Sequence, residues 1–291
     1  FPDKYVRPSD IVVSPGNSNA LYIAGWKSES GFLHAALLHS TDGGTSWTDI
    51  TAPIPNAANR YFYTVTVDPA DADRVYVGGT HFYRTLDGGD TWSSNLAFMN
   101  IHAIGIDPSD PSRLYAGGIE RMYTSTNFAE NWTEQTGFRK SHVNHVEVAP
   151  APGSAVYAST SIGLFKSSNG GIDWDMAHHG ILASAVPALA VAPSRPSTVF
   201  AERKWDSVVV SDNSGGDWRD TSDFIGCGEV TDLLVPGASP SVVLAIQDSG
   251  RFESGIFRSE NAGDTWLRVN GDFDVGYCLA EDPSDPNVIY A

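Results

Sequence analysis

One eight-residue pattern recurs six times along the chain, and it restricts the fold more than any other feature of the sequence. Each copy starts with Ser or Thr, has Asp or Asn two residues later and ends in Trp. The copies are STDGGTSW (40–47), TLDGGDTW (85–92), STNFAENW (125–132), SSNGGIDW (167–174), SDNSGGDW (211–218) and SENAGDTW (259–266). Their tryptophans are 45, 40, 42, 44 and 48 residues apart. So even a period is typical of architectures built from stacked repeats.

Each repeat predicts four antiparallel strands, which we label A to D. Strands A and B alternate apolar and polar residues and are joined by an Asp-Pro or Ala-Pro turn, as in TVTVDPADADRVYVGG (64–79). Strand C is short, as in GLFKS (163–167), the eight-residue pattern forms the C–D turn, and its Trp opens strand D. No segment has a sustained helical period. The predicted repeats cover 11–51, 61–96, 101–136, 143–178, 186–222, 230–270 and, in part, 275–291.

These units predict an all-β fold, a β-propeller of four-stranded antiparallel blades that forms a single domain over residues 1–291. Stacking blades around an axis buries both faces of each sheet and leaves only short edges. Six units are complete, and GYCLAEDPSDPNVIYA (276–291) matches strands A and B of a further unit. We therefore prefer seven blades, the last one incomplete or closed by an outer strand from residues 1–10, with six blades as the alternative.

The recurring pattern resembles the Asp-box, or BNR repeat. This repeat occurs in sialidases, xyloglucan-active glycoside hydrolases, sortilin-type receptors and photosystem II assembly-factor propellers. The resemblance implies a propeller and a structural role for the Asp or Asn and the Trp of each copy. Those residues are Asp42, Trp47, Asp87, Trp92, Asn127, Trp132, Asn169, Trp174, Asn213, Trp218, Asn261 and Trp266. Asn can accept hydrogen bonds from turn amides as Asp does, so the Asn copies keep that role.

The resemblance to two enzyme groups can be followed residue by residue. Sialidases have Phe/Tyr-Arg-Ile-Pro near their start, whereas YVRPSD (5–10) has no Ile between Arg and Pro. Xyloglucan-active hydrolases carry a catalytic Asp in a first-blade stretch similar to Tyr-x-x-Thr-Asp-x-Gly-Gly. The matching region, LYIAGWKSESGFLHAALLHS (21–40), has no Asp, and Glu29 is its nearest carboxylate. A hydrolase would need two facing acids, and Glu202, Asp206, Asp248 and Glu253 are the candidates on neighbouring blades.

Charge excludes one class of partner. The chain has 18 Lys and Arg against 35 Asp and Glu, a formal charge of −17, whereas nucleic-acid binding needs a basic face. No apolar run approaches the roughly 20 residues of a membrane-spanning helix, so we expect no membrane insertion by this chain. We predict an extracytoplasmic protein, periplasmic or secreted, although no signal is visible. We predict no cofactor and no metal site, because His142 and His145 fall on opposite faces of a strand.

The turns that repeat in every blade are expected to be structural, so the search for a site moves to the opposite face. That face carries the B–C and D–A connections, which vary in length and contain about half of the positive side chains. The candidate ligand-binding residues there are Trp26, Arg121, Arg203, Trp205, Asp206 and Arg251. Arg, Trp and carboxylates together suit a glycan or a protein partner. The alternative is that these are ordinary solvated loops.

We therefore predict a non-catalytic binding or assembly module that contacts a protein or glycan through its B–C/D–A face. A glycoside hydrolase, or a fragment of one, is the first alternative, and a structural subunit of a larger complex is the second. The two cysteines, Cys227 and Cys278, precede or lie in strand A of adjacent blades. They are either free thiols or a disulfide that ties the closing blade to the ring.

Overall fold

A computed structural model describes residues 6–29, 31–57, 60–95, 100–138, 140–150, 155–177, 185–203, 207–221, 228–248, 254–269 and 278–291. This part of the chain is all-β and consists of 26 strands with their connections. Among these residues no helix is long and apolar enough to cross a membrane.

The strands fall into groups of four along the chain. In chain order they are β1 (Val6–Val13), β2 (Leu21–Glu29), β3 (Phe32–Ser40), β4 (Thr48–Asp49), β5 (Phe62–Asp68), β6 (Asp71–Gly79), β7 (Phe82–Thr85), β8 (Ser93–Asn95), β9 (Ala103–Ile106), β10 (Leu114–Gly118), β11 (Arg121–Ser125), β12 (Thr133–Gln135), β13 (Val143–Val148), β14 (Val156–Thr160), β15 (Gly163–Ser167), β16 (Asp175–Met176), β17 (Leu189–Val191), β18 (Val199–Arg203), β19 (Ser207–Ser211), β20 (Arg219–Asp220), β21 (Glu229–Leu234), β22 (Val243–Asp248), β23 (Gly255–Ser259), β24 (Leu267–Arg268), β25 (Ala280–Asp282) and β26 (Asp285–Tyr290).

Six four-stranded antiparallel sheets form the blades of a six-bladed β-propeller, and β25 pairs with β26 in a separate two-stranded sheet. The predicted propeller and its six-blade alternative are confirmed, whereas the preferred count of seven blades is not. Residues 6–13 explain the difference. They form β1, the inner strand of the first blade, paired with β2, so they do not supply an outer strand to the last sheet. The two-stranded sheet is held between the sixth blade and the first, since Leu279 and Ile289 pack with Leu244 of the sixth.

Strand A of each blade lies innermost, and β1, β5, β9, β13, β17, β21 and β25 line a central channel. The core sits between neighbouring blades, where apolar side chains of two facing sheets form clusters. We keep the name Asp-box for the eight-residue pattern, after the repeat that it resembles, and its Trp packs on the blade before it. The ring of Trp132, for example, lies edge-on to that of Phe82 with centroids 4.8 Å apart. Burial of both faces of each sheet therefore depends on its neighbours, as the repeat period predicts.

The Asp-box is a C–D turn held by its own polar side chains. In the first copy the Ser40 hydroxyl donates to Asp42 (2.9 Å) and accepts from the amide of Gly44 (2.9 Å). The Asp42 carboxylate accepts from the Ser46 amide (2.7 Å) and hydroxyl (2.6 Å). These hydrogen bonds lower the pKa of Asp42. In the second copy they lower the pKa of Asp87 to about 2.

The fourth and fifth copies, which have Asn, keep the same turn with a matching change of partner. Asn169 Oδ1 accepts from the amide of Asp173 (2.9 Å), while its Nδ2 donates to the Asp173 carboxylate (2.9 Å). The fifth copy has the same arrangement between Asn213 and Asp217. In the first and second copies the Asp thus accompanies a hydroxyl four residues later, and in the fourth and fifth copies the Asn accompanies a carboxylate. In these copies the side chain hydrogen-bonds within the turn.

Cys278 is a buried, free cysteine, and Cys227 lies outside the described residues. The disulfide offered as one alternative involves Cys227, so it stays a prediction. Burial, with the charges of Asp10 and Asp232, raises the pKa of the Cys278 thiol well above its usual value.

Candidate functional site

The Asp-boxes and the A–B turns share one face of the propeller. The Gly43 amide donates to Asn19 O in the first blade (3.0 Å), and the Gly88 amide donates to Asp73 O in the second (2.9 Å). In an antiparallel blade the B–C and D–A connections must then lie on the other face, where each inner strand begins. The candidate site is on this second face, as the sequence predicts for the variable loops.

Four rings from three blades lie in contact across this face, and we call Trp26, Tyr61, Tyr63 and His102 the aromatic track. Trp26, in the second half of β2, meets Tyr61 edge-on at 6.4 Å between centroids. Tyr61 is nearly parallel to Tyr63 at 6.2 Å, and Tyr63 stacks on His102 at 4.2 Å. All four side chains are partly exposed. The Arg7 guanidinium lies 5.1 Å above the Trp26 ring and adds a cation to the outer end of the track.

A β-bulge directs Tyr63 onto this face. The register of β5 shifts between Phe62 and Thr64, which leaves Tyr63 as the extra residue. Phe62 fixes the strand by packing its buried ring against Tyr83. The inner strand β13 has the same kind of bulge, and its extra residue, Asn144, donates to Val186 O of the next blade (3.1 Å). Bulges commonly re-aim a side chain towards a site in this way.

The track ends at the mouth of the central channel. A cavity of about 480 Å³ there is lined by Tyr63, His102, His142, Asn144, Pro187 and Glu229, among others. Burial lowers the pKa of His102, with a further contribution from His142. Burial also raises the pKa of Tyr63, so both groups are held neutral near pH 7. The mouth is therefore a mixed surface of neutral rings and hydrogen-bonding groups, which can stack on and hydrogen-bond to a ligand.

Deeper in the channel, carboxylates link successive inner strands. Asp10 accepts from the Thr64 hydroxyl (2.8 Å) and the Val65 amide (2.9 Å) of the second blade. Asp232 accepts from the Leu279 amide (2.7 Å) just before β25. Both carboxylates thus already bind backbone donors of the neighbouring inner strand.

The surroundings of these groups also change their proton affinity. Burial raises the pKa of Asp10, and it raises that of Asp232 to about 7. Burial acts against the charged form of His145, but its contact with Glu147 (3.4 Å) and the nearby Asp232 and Asp10 raise its pKa. Within the described residues, no group of three His, Cys, Asp or Glu could hold a metal ion.

The structure separates the residues predicted for ligand binding. Trp26 is part of the aromatic track. Arg121 pairs with Glu134 and Arg203 pairs with Asp220, both at 2.7 Å. Trp205, Asp206 and Arg251 lie outside the described residues.

The two arginines follow a repeating arrangement. In the first blade Lys27 makes the same contact with Asp49 at 2.7 Å. In all three blades the acid lies two residues after the Asp-box Trp, on strand D of the same sheet. These cations are therefore neutralised within their own blades. Arg7, Tyr61, Tyr63 and His102 were not predicted, although YFY (61–63) at the start of a strand A is an unusual concentration of rings.

Two of the four carboxylates considered for a hydrolase are in described segments. Glu202 is buried, and its Oε1 accepts from the Val230 amide of the sixth blade (3.0 Å). Asp248 accepts from the Ser254 hydroxyl at 3.3 Å. Glu202 therefore serves contact between blades. Asp206 and Glu253 lie outside the described residues, as does the side chain of Glu29.

Comparison with curated proteins finds xyloglucanases. The chain is 27% identical over 289 residues to a xyloglucanase of Paenibacillus sp, which covers 91% of this chain and 25% of that protein. It is 24% identical over 294 residues to xyloglucanase Xgh74A of Acetivibrio thermocellus, with 91% and 32% covered. The chain thus spans about a quarter to a third of the length of these relatives. No family model matches the chain.

Solved structures support the fold. YCF48 from Cyanidioschyzon merolae has a TM-score of 0.69 at 17% identity, covering 97% of this chain and 91% of that one. YCF48 bound to a D1 peptide has a TM-score of 0.68 at 17% identity, covering 92% and 82%. An ancestral GH74 enzyme has a TM-score of 0.70 at 18% identity, covering 97% and 40%. At these identities the likeness establishes the propeller fold alone.

Proposed function

We propose that this chain is a non-catalytic binding module that holds an extended glycan on its B–C/D–A face. The aromatic track carries this proposal, because four rings, each packed against the next, lead from Trp26 to the channel mouth at His102. Exposed rings provide apolar faces for sugar rings, and their polar edges hydrogen-bond to hydroxyl groups. We propose that the module acts outside the cytoplasm, where polysaccharides are accessible.

The sequence relatives indicate the glycan to test first. Both are xyloglucanases that align along 91% of this chain, so a xyloglucan-type β-glucan is the first ligand. A protein segment is the second ligand, favoured by the similar propeller of YCF48, which has been solved with a D1 peptide. Hydrolysis is the alternative activity, favoured by the same relatives. Glu202 argues for binding without hydrolysis, because its carboxylate already bridges two blades.

The experiment is isothermal titration calorimetry with xyloglucan oligosaccharides, together with a reducing-sugar assay on the same samples. We expect binding without release of reducing ends. Replacing an anchoring ring, as in Tyr63→Ala or Trp26→Ala, should weaken binding by about tenfold or more. Phe128→Ala is the matched control, because Phe128 is an aromatic residue of the Asp-box face beneath Arg74.

Three results would contradict the proposal. Release of reducing ends by the purified protein would establish the hydrolase. Equal affinity of the Tyr63, Trp26 and Phe128 variants would place the ligand elsewhere. No binding of the oligosaccharides, with binding of a peptide that the Tyr63 variant abolishes, would replace the glycan by a protein segment.

A further inference from the structure

The third Asp-box ends in a tripeptide that differs in kind from those of the other five copies. Asn131, Trp132 and Thr133 form the pattern Asn-x-Thr, which is the acceptor sequence for N-linked glycans. The pattern Asn-x-Ser or Asn-x-Thr occurs nowhere else in the sequence. It spans the end of the C–D turn and the start of β12, the outer strand of the third blade.

The side chain of Asn131 does not take part in its turn as its counterparts do. In the other five copies a side-chain hydrogen bond joins the third and seventh residues of the box. Those pairs are Asp42–Ser46, Asp87–Thr91, Asn169–Asp173, Asn213–Asp217 and Asn261–Thr265. In the third copy Asn127 Oδ1 accepts from the backbone amide of Asn131 (3.0 Å), and among the described residues the Asn131 side chain forms no hydrogen bond. A substituent on its side-chain nitrogen therefore costs the turn no contact.

Trp132 fixes the direction of the residues on either side of it. Its ring lies against that of Phe82, and its Nε1 donates to Asn95 Oδ1 (3.2 Å), both in the second blade. Alternate residues of an extended segment point to opposite sides, so the neighbours of an inward-facing ring face outward. Asn131 and Thr133 are both exposed. The amide and the hydroxyl of the tripeptide are thus accessible in the folded blade.

The tripeptide lies at the outer rim of the Asp-box face, opposite the face that carries the aromatic track. Thr133 begins β12, which is the edge strand of its sheet and pairs with β11. Exposed edge strands present backbone groups that can pair with another chain. A bulky, hydrated glycan beside this edge hinders such pairing and leaves the opposite face open for a ligand.

We propose that Asn131 is an acceptor for an N-linked glycan. The donor is an oligosaccharide joined through a diphosphate to a membrane lipid. Asn131 Nδ2 bonds to C1 of the first sugar while the bond from C1 to the diphosphate oxygen breaks; the nitrogen loses one proton, and the lipid diphosphate leaves. Thr133 provides the hydroxyl that the acceptor pattern requires two residues after the Asn. This inference rests on the proposed location outside the cytoplasm and is independent of which ligand the aromatic track binds.

The test is expression of the whole chain behind a signal peptide in a eukaryotic cell line, with intact-mass measurement before and after treatment with a peptide N-glycosidase. We expect one removable glycan per chain and, after the enzyme treatment, Asp in place of Asn131. Asn131→Gln should lose the glycan because it removes the acceptor, and Thr133→Ala should lose it because it removes the hydroxyl. Thr133→Ser should retain the glycan, since Ser also provides a hydroxyl. Chains retained in the cell are measured in the same way.

Asn19→Gln is the matched control and should keep the glycan. Asn19 is an exposed asparagine of the same face, but Leu21 stands two residues after it. Circular dichroism confirms that the glycosylated chain has the fold of the Asn131→Gln variant. An unmodified Asn131 in the expressed chain would overturn the proposal. So would a glycan that the Thr133→Ala variant retains, or a glycosylated chain that is unfolded while the Asn131→Gln variant is folded.

Discussion

Ser167 in the fourth Asp-box provides the sharpest test of how these turns hold the blades. Its buried hydroxyl donates to Asn169 Oδ1 (2.9 Å) and accepts from the Gly171 amide (2.8 Å). In Ser167→Ala the bond to Asn169 is lost, at a cost of about 1 kcal/mol, and the buried Gly171 N–H has no acceptor, at about 1–3 kcal/mol. The expected loss in the free energy of unfolding is therefore about 2–4 kcal/mol. At about 2 °C per kcal/mol for a chain of this size, Tm falls by about 4–8 °C.

The measurement is equilibrium urea unfolding followed by tryptophan fluorescence, with calorimetry for Tm. Ser168→Ala is the matched control, since Ser168 is an exposed neighbour of the same chemistry, and it should change stability by less than about 0.5 kcal/mol. Ser167→Thr should retain most of the stability, because Thr85 makes the equivalent bonds in the second box. Equal losses for Ser167→Ala and Ser168→Ala would refute the reasoning.

Two further predictions concern polar pairs. Asn169→Asp should lower the urea midpoint, because it places two carboxylates about as close as the 2.9 Å of the present hydrogen bond. Adding Asp173→Ser should recover the lost stability, because the new pair copies the one between Asp42 and Ser46. Additive effects of the two substitutions in a double-mutant cycle would contradict this. Asp232 has a folded-state pKa of about 7, above the unfolded value of about 3.9, so its protonation stabilises the fold at low pH and this contribution is lost as pH rises from about 4 to about 7. Asn does not titrate at this position in the Asp232→Asn variant. The urea midpoint of the variant minus that of the wild type should therefore increase between pH 5 and pH 8. If this difference stays constant, the pKa of Asp232 is not raised.

The repeated turns were predictable from the sequence because each turn is defined within eight residues. Ser40, Asp42 and Trp47 act on one another, so linear spacing captures their chemistry. The total number of blades, six or seven, was not predictable in this way. The first inner strand contains Pro8, which argues against an inner strand in the sequence alone. The strand tolerates it through a register shift between Pro8 and Asp10, a feature that depends on pairing with β2.

The candidate site shows the same limit more strongly. Trp26 could be predicted because a large ring in a predicted variable connection is unusual, although the structure places it in β2. The aromatic track could not, because its rings come from three blades and form no linear motif. Arg121 and Arg203 were predicted as ligand-binding residues from their loop positions. Their pairing with Glu134 and Asp220 depends on cross-strand register, which no local pattern encodes.

The ring closes through the two-stranded sheet, whose contacts with the neighbouring blades differ from the contacts between complete blades. The two-stranded sheet is held by apolar contacts and by a few polar links, including Asp232 to the Leu279 amide and Ser18 to Asp282. Among the described residues it has half the strands of a full blade, so fewer strands contribute to its contacts with the neighbouring blades. The first local unfolding of the propeller should therefore be the release of this sheet, well before global unfolding. Cys278 is buried at that join, so the rate at which its thiol reacts with a labelling reagent measures how often the ring opens.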